Sequence, residues 1–137
     1  MPEGVGYSGS NVIAGAGLEL NYIGTHCYAF SGGFGANTSE QTLFEFTTGK
    51  EYIIGTLTIN GGTELATAGN GTISAYQLSL NGVIVAVLKT ETATEDQPTT
   101  VMNELLIPPY TNVKLIMDSA SNDSGSLNTA IIVGKLY

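Results

Sequence analysis

The chain has 137 residues, of which 42% are apolar and only 12% charged, and it carries a net charge of −8. Its four cations are all lysines, too few to grip phosphate by counterion release, so nucleic acid is excluded as a partner and adhesion to an anionic membrane is disfavoured. A single cysteine excludes an intrachain disulfide, and no stretch reaches the length of a membrane-spanning helix, so stability must come from a core or from association.

Polarity comes from Ser, Thr, Asn and Gly, which suit strands and turns better than helices. Residues 1–17, Gly- and Ser-rich with weak periodicity, read as an extended N-terminal arm, and residues 18–137 as one β-sandwich domain. Residues 1–15 lack the basic-then-apolar order of a signal peptide, which predicts a protein made and kept in a cytosol unless something larger carries it out. The first strand is expected over Leu18–Tyr22, with Leu18, Leu20 and Tyr22 on one face. His26–Phe30 follows, closed by the turn-rich Ser31-Gly32-Gly33-Phe34-Gly35.

Gln41–Thr48 reads as a strand with Leu43 alone on one face and Phe44 and Phe46 on the other. Beyond Gly49-Lys50, the run Glu51–Ile59 sets Ile53, Leu57 and Ile59 against Thr56 and Thr58, one side packed and one side wet. Asn60-Gly61-Gly62 and Asn70-Gly71 are turn signals, and Thr63–Gly69 between them reads as a loop.

Residues 73–90 form the best-specified element. Asn81-Gly82 separates two β-rich runs and matches a type I′ hairpin turn, which needs positive φ at both central positions. A two-residue loop places Leu80 opposite Val83, Leu78 opposite Val85 and Tyr76 opposite Val87. The second strand is apolar at nearly every position and is expected to be central and buried on both faces. Glu91–Thr100 reads as a projecting acidic loop, and Met102–Ile107 as a strand stopped by Pro108-Pro109 at an edge or a corner. Val113–Met117, a polar loop over Asp118–Ser126 and a closing strand at Thr129–Tyr137 complete the chain. The expected fold is all-β: an antiparallel, jelly-roll-like sandwich of eight or nine short strands.

No pattern of residues specifies catalysis, a metal or a cofactor. His26 and Cys27 are the only such pair for nucleophilic chemistry, yet neighbouring strand residues point to opposite faces. Asp118–Gly125 has oxygen donors without the spacing of a calcium loop. Glu91, Glu95 and Asp96 have no apolar cleft beside them to act as a glycosidase pair. Asn37, Asn70 and Asn122 match the glycosylation acceptor pattern, which without a signal peptide reads as chance. Sugar-binding modules stack pyranose rings on exposed aromatics, and Tyr52, Tyr76 and Tyr110 are candidates for such a platform. Against that, Tyr76 falls on the packed hairpin face and Pro108-Pro109-Tyr110 reads as a rigid corner.

From Gly71 onward, Leu80-Asn81-Gly82-Val83, the acidic loop, Leu105–Leu115 with its Pro108-Pro109, and the closing Ile132–Tyr137 together resemble small β-sandwich structural proteins of tailed bacteriophages, of the capsid decoration or cement type. That resemblance implies a homo-oligomer, with a trimer favoured, that sits on the exterior of a virion and clamps the major capsid protein; it carries no catalytic residues. The arm would reach a neighbouring subunit, with Val5, Tyr7, Val12 and Ile13, together with Tyr110, as partner-binding residues. An acidic chain would be repelled by packaged nucleic acid, which favours the outer surface. The alternative reading is a carbohydrate-binding or adhesive β-sandwich module of a fibre or spike.

Overall fold

A computed structural model describes residues 20–64, 72–90 and 99–137. Among these lie ten strands: β1 (Asn21–Ile23), β2 (His26–Phe30), β3 (Phe34–Ala36), β4 (Gln41–Thr47), β5 (Ile53–Glu64), β6 (Ser74–Leu80), β7 (Val83–Thr90), β8 (Thr99–Ile107), β9 (Asn112–Ser119) and β10 (Asp123–Leu136). All pairings are antiparallel, and they build two sheets. The first runs β1-β2-β10-β5-β8, with β3 pairing β10 beside β2, and the second runs β4-β9-β6-β7. The fold is the all-β, jelly-roll-like sandwich expected. Residues 1–17, and all of the loop expected over Glu91–Thr100 except Thr99 and Thr100, lie outside the described residues; those two already belong to β8, which starts before the expected Met102.

The core follows from alternation. Ile53, Leu57 and Ile59 of β5, Ala130 and Ile132 of β10, and Cys27 and Ala29 of β2 line the inner side of the first sheet. They pack with Phe44 and Phe46 of β4, Tyr76 and Leu78 of β6, and Val113, Leu115 and Met117 of β9 on the inner side of the second. Where β10 and β5 cross the middle of the first sheet, Gly134 stands opposite Gly55. A Cβ on Gly55 would lie 2.7 Å from the carbonyl oxygen of Val133, so only glycine allows this approach of two backbones.

Three expectations are corrected by the pairing. Asn81 and Gly82 do adopt φ of 52° and 82° with Leu80 opposite Val83, but the register then slips. Val85 is an extra, bulged residue, so Leu78 faces Ala86 and Tyr76 faces Leu88. β7 is not a central strand: it is the edge of the second sheet, with Val83, Ile84, Val85 and Val87 all at least half exposed. A second bulge leaves Leu43 unpaired between Thr42 and Phe44, and this turns both Leu43 and Phe44 into the core instead of onto opposite faces.

The turn expected at Asn60-Gly61-Gly62 is absent, because β5 continues through it to Glu64. Gly61 is needed there for space: a Cβ would strike Asn128 Oδ1. The loop expected over Asp118–Ser126 shrinks to the residues between β9 and β10, and the small first strand begins at Asn21, not Leu18.

Polar groups inside the sandwich are paired. The hydroxyl of Tyr76, fully buried on β6, donates to Asn128 Oδ1 of β10 at 2.7 Å and so bonds one sheet to the other. Asn128 Nδ2 donates to the carbonyls of Ser126 (3.2 Å) and Phe34 (3.4 Å). Burial pushes the Cys27 thiol from its usual value near 9 up to about 11, against a weaker opposing hydrogen bond from the Gly134 backbone. The unfolded chain therefore ionises this thiol first. Its contribution to stability is intact below pH 9 and is lost as pH rises through about 11. Urea unfolding across this range should show wild-type stability falling, and a flatter profile for Cys27→Ala up to pH 10, where buried Tyr76, whose pKa is also raised by desolvation, takes over.

Candidate functional site

Five chain segments meet at one end of the sandwich, and backbone hydrogen bonds tie them together. Thr48 N donates to Thr111 O and Tyr110 N to Gly49 O, both at 2.9 Å, which joins the β4–β5 and β8–β9 connections. Asn81 N donates to Asn112 O at 2.8 Å, adding the hairpin turn, and Leu136 N donates to Thr25 O at 2.7 Å, adding the β1–β2 turn. Tyr52 and Tyr137 exchange a reciprocal pair of bonds at 3.0 and 2.8 Å, which brings in the last residue. Inside this end the Thr48 hydroxyl donates to Pro108 O at 2.9 Å and accepts from Thr111 N at 2.8 Å, so the two longer connections hold each other rigidly.

This frame carries Tyr22, Tyr52, Tyr110 and Tyr137, all of them exposed by half or more of their surface or nearly so. At this end lies a cavity of about 610 Å³ lined by Tyr22, Gly24, Gly49, Lys50, Glu51, Ile53 and Leu136, so of the four tyrosines Tyr22 enters its lining. Its volume falls within the range of about 300–1,000 Å³ typical of small-molecule sites. Ile53 and Leu136 give it an apolar floor, and Lys50, Glu51 and the Tyr22 hydroxyl supply donors and acceptors. Partial burial raises the pKa of Tyr22, helped by the Cys27 thiol and the Glu51 carboxylate and opposed by a backbone hydrogen bond from Gly49, so the phenol is neutral and able to donate at physiological pH.

Tyr110 is unusual in its backbone. Its φ is 53°, a left-handed conformation that bulky residues rarely adopt, and its side chain is 71% exposed. Such strain amounts to about 1–3 kcal/mol and persists where the surroundings impose it. Asn tolerates this region, and little burial is lost by the exchange. Tyr110→Asn is therefore expected to hold or raise stability, by up to about 1 kcal/mol, in urea unfolding.

Of the residues singled out by sequence, Tyr52 and Tyr110 lie at this end, whereas Tyr76 is buried in the core. Val5, Tyr7, Val12 and Ile13 lie outside the described residues. His26 is exposed on the outer face of the first sheet and Cys27 is buried on its inner face, so they form no catalytic pair. Among the described residues no three His, Cys, Asp or Glu side chains come together as a metal would require. Among the same residues no helix is long and apolar enough to cross a membrane. Tyr22, Lys50, Glu51 and Tyr137 were not legible as a group, since they come from three separate places in the chain. The available signal was that Tyr137 lies just beyond the closing strand and Tyr22 in a short strand beside a turn.

Neither protein-family models nor curated proteins give a match to the chain. Solved structures do. A β-glucosidase from Paenibacillus barengoltzii is similar at a TM-score of 0.42 and 17% identity, over 90% of this chain but only 11% of that one. A family 35 carbohydrate-binding module from Clostridium thermocellum is similar at 0.34 and 13%, over 80% of this chain and 70% of that one. The C-terminal domain of EclA, a sugar-binding protein, is similar at 0.31 and 17%, over 76% and 67%. At these identities the likeness is one of strand arrangement and does not say what this chain binds.

None of the three is a virion protein, and the expectation of a capsid decoration protein is corrected accordingly. The major capsid protein as partner, the trimer and the virion exterior were implications of that resemblance and go with it. The physical reason lies in the residues that carried it. Leu80–Val83 encodes a tight hairpin, Ile107-Pro108-Pro109 the stop of an edge strand, and Ile132–Tyr137 the end of a central strand. Those are requirements of a sandwich, a scaffold that hosts many unrelated functions.

Proposed function

We propose that this chain is a carbohydrate-binding module, one that holds a glycan at its tyrosine-rich end without transforming it. The observation that carries the reading is the cavity lined by Tyr22, Lys50 and Glu51, at the end of the sandwich where the exposed Tyr52, Tyr110 and Tyr137 are tied in by backbone hydrogen bonds. A pyranose ring presents apolar C–H faces and a rim of hydroxyls. The first suit exposed aromatic rings, and the second need directional donors and acceptors. An ammonium, a carboxylate and a phenol within one small cavity provide these.

A second depression, on the outer face of the first sheet, is a poorer match for a sugar. Its lining is chiefly Ile23, Phe30, Ile131 and Val133, with His26 and Tyr28 as the polar members. Each sugar hydroxyl desolvated there without a partner would cost about 1–3 kcal/mol.

A glycan array followed by titration monitored through tyrosine fluorescence, which no tryptophan obscures, tests the reading. Saturable binding is expected, weakened by about tenfold, or roughly 1.4 kcal/mol, in Tyr22→Ala and in Glu51→Gln. Val87→Thr, at the far edge of the second sheet, should bind as wild type. Failure of every glycan to bind, or binding indifferent to Tyr22→Ala and Glu51→Gln, would remove this function from the site.

A further inference from the structure

The cavity at the tyrosine-rich end offers more than generic polarity, and its lining matches one substituent of a sugar. Its floor is apolar, made by Ile53 and Leu136, and the two glycines of the lining, Gly24 and Gly49, add no polar side chain. A sugar lodged there with hydroxyls on every side would leave some of them desolvated and unpaired. The part of the glycan that enters must therefore carry apolar atoms of its own.

The polar members of the lining are of two opposite kinds. The half-buried Glu51 carboxylate only accepts hydrogen bonds, and the exposed Lys50 ammonium only donates them. Among the described residues neither is engaged in a hydrogen bond or ion pair, so both are open to a ligand. Tyr22 is a second donor, since its oxygen is already engaged by the Gly49 backbone while its proton stays on at physiological pH.

We infer, resting on the carbohydrate reading of this cavity, that the sugar it selects is an N-acetylated amino sugar held by its acetamido group. That planar group joins the three chemistries that the lining presents separately. Its methyl suits Ile53 and Leu136, its N–H suits Glu51, and its carbonyl oxygen suits Lys50 or the Tyr22 hydroxyl. Competing substituents each satisfy one part and conflict with another. A 6-deoxy sugar brings a methyl that carries no donor or acceptor. A free amino sugar pairs with Glu51 but meets Lys50 as a like charge. A uronic or sulfated sugar reverses those signs, and it must also approach a chain of net charge −8. A neutral acetamido group escapes both penalties.

The test titrates the full-length protein, followed by tyrosine fluorescence, with trisaccharides that differ only in one ring substituent. They are the trimer of N-acetylglucosamine, its de-N-acetylated form and cellotriose. The N-acetylated trimer is expected to bind at least about tenfold more tightly than either, the least that one well-seated apolar group contributes to discrimination. Its N-formyl analogue, which lacks only the methyl, should lose severalfold in affinity with the protein unaltered. Glu51→Gln should narrow the preference for the N-acetylated trimer over cellotriose severalfold, at an unchanged urea midpoint. Equal binding of those two trimers, both weakened by Tyr22→Ala, overturns this inference and leaves the carbohydrate reading standing. So does tighter binding of the de-N-acetylated trimer or of a 6-deoxy sugar such as methyl fucoside. Failure of every glycan to bind overturns both together.

Discussion

Phe44→Ala is expected to destabilise the fold by about 3–5 kcal/mol, a large share of the total stability of a domain this size. The ring is fully buried, and its centroid lies 5.7 Å from that of Phe46, tilted by 34°. Truncation loses the transfer energy of the ring and leaves a cavity that the flanking strands, pinned by ladders on β4 and β9, cannot collapse to fill. The informative control is Val87→Thr. A strand apolar at nearly every position looks like core, and a buried valine would not tolerate a hydroxyl. At 67% exposure on an edge strand it should change stability by no more than about 0.5 kcal/mol. Urea midpoints for the two variants, at unchanged m-value, measure both. Comparable losses would mean that β7 is covered in solution.

That contrast shows where sequence reading succeeds and where it stops. Asn81-Gly82 was legible because its signal is local: two residues that accept positive φ between two β-rich runs. Pro108-Pro109 was legible for the same reason, since a missing N–H ends a ladder whatever lies beside it, and β8 is indeed an edge. The bulges at Leu43 and Val85 were not. Each inserts one residue against a partner strand, so the information resides in β9 and β6 as much as in the bulged strand itself. Edge or centre for β7 likewise depends on which strands compete for its neighbour, and β6 is flanked on its other side by β9.

The site follows the same rule. Tyr52 and Tyr110 could be picked out as exposed aromatics near turns, and the cavity at the same end could not, because Tyr22, the pair Lys50 and Glu51, and Leu136 reach it from widely separated parts of the chain. What joins them is the ladder in which β10 pairs β2 and β5 at once, bringing the chain's last residue against Tyr52 and the β1–β2 turn against Leu136. A strand running to the end of the chain was readable. That it is central, and therefore builds the site, was not.

The second large effect is expected from Asn128→Asp, a change of one atom in shape. In the wild type the side-chain amide is matched on both sides: Oδ1 accepts from Tyr76, and Nδ2 donates to the carbonyls of Phe34 and Ser126. A carboxylate keeps the first bond and turns two attractions into repulsions, because it would face two carbonyl oxygens with no proton to offer in a site fully closed to solvent. Its pKa in the folded protein must then rise above the unfolded value of about 3.9. The unfolded chain gives up the proton first, so stability falls as pH rises from about 4 through the raised folded pKa and stays low beyond it. At neutral pH the loss should approach the roughly 3–5 kcal/mol of an uncompensated buried charge. Below about pH 4 the acid is neutral in both states and can donate to one of the two carbonyls, so much of the loss should be recovered. Unfolding of wild type and variant across pH 3–8 reads this directly. A deficit that does not shrink on acidification would mean that water reaches residue 128 and that Tyr76 and Asn128 do not bond the two sheets through a dry core.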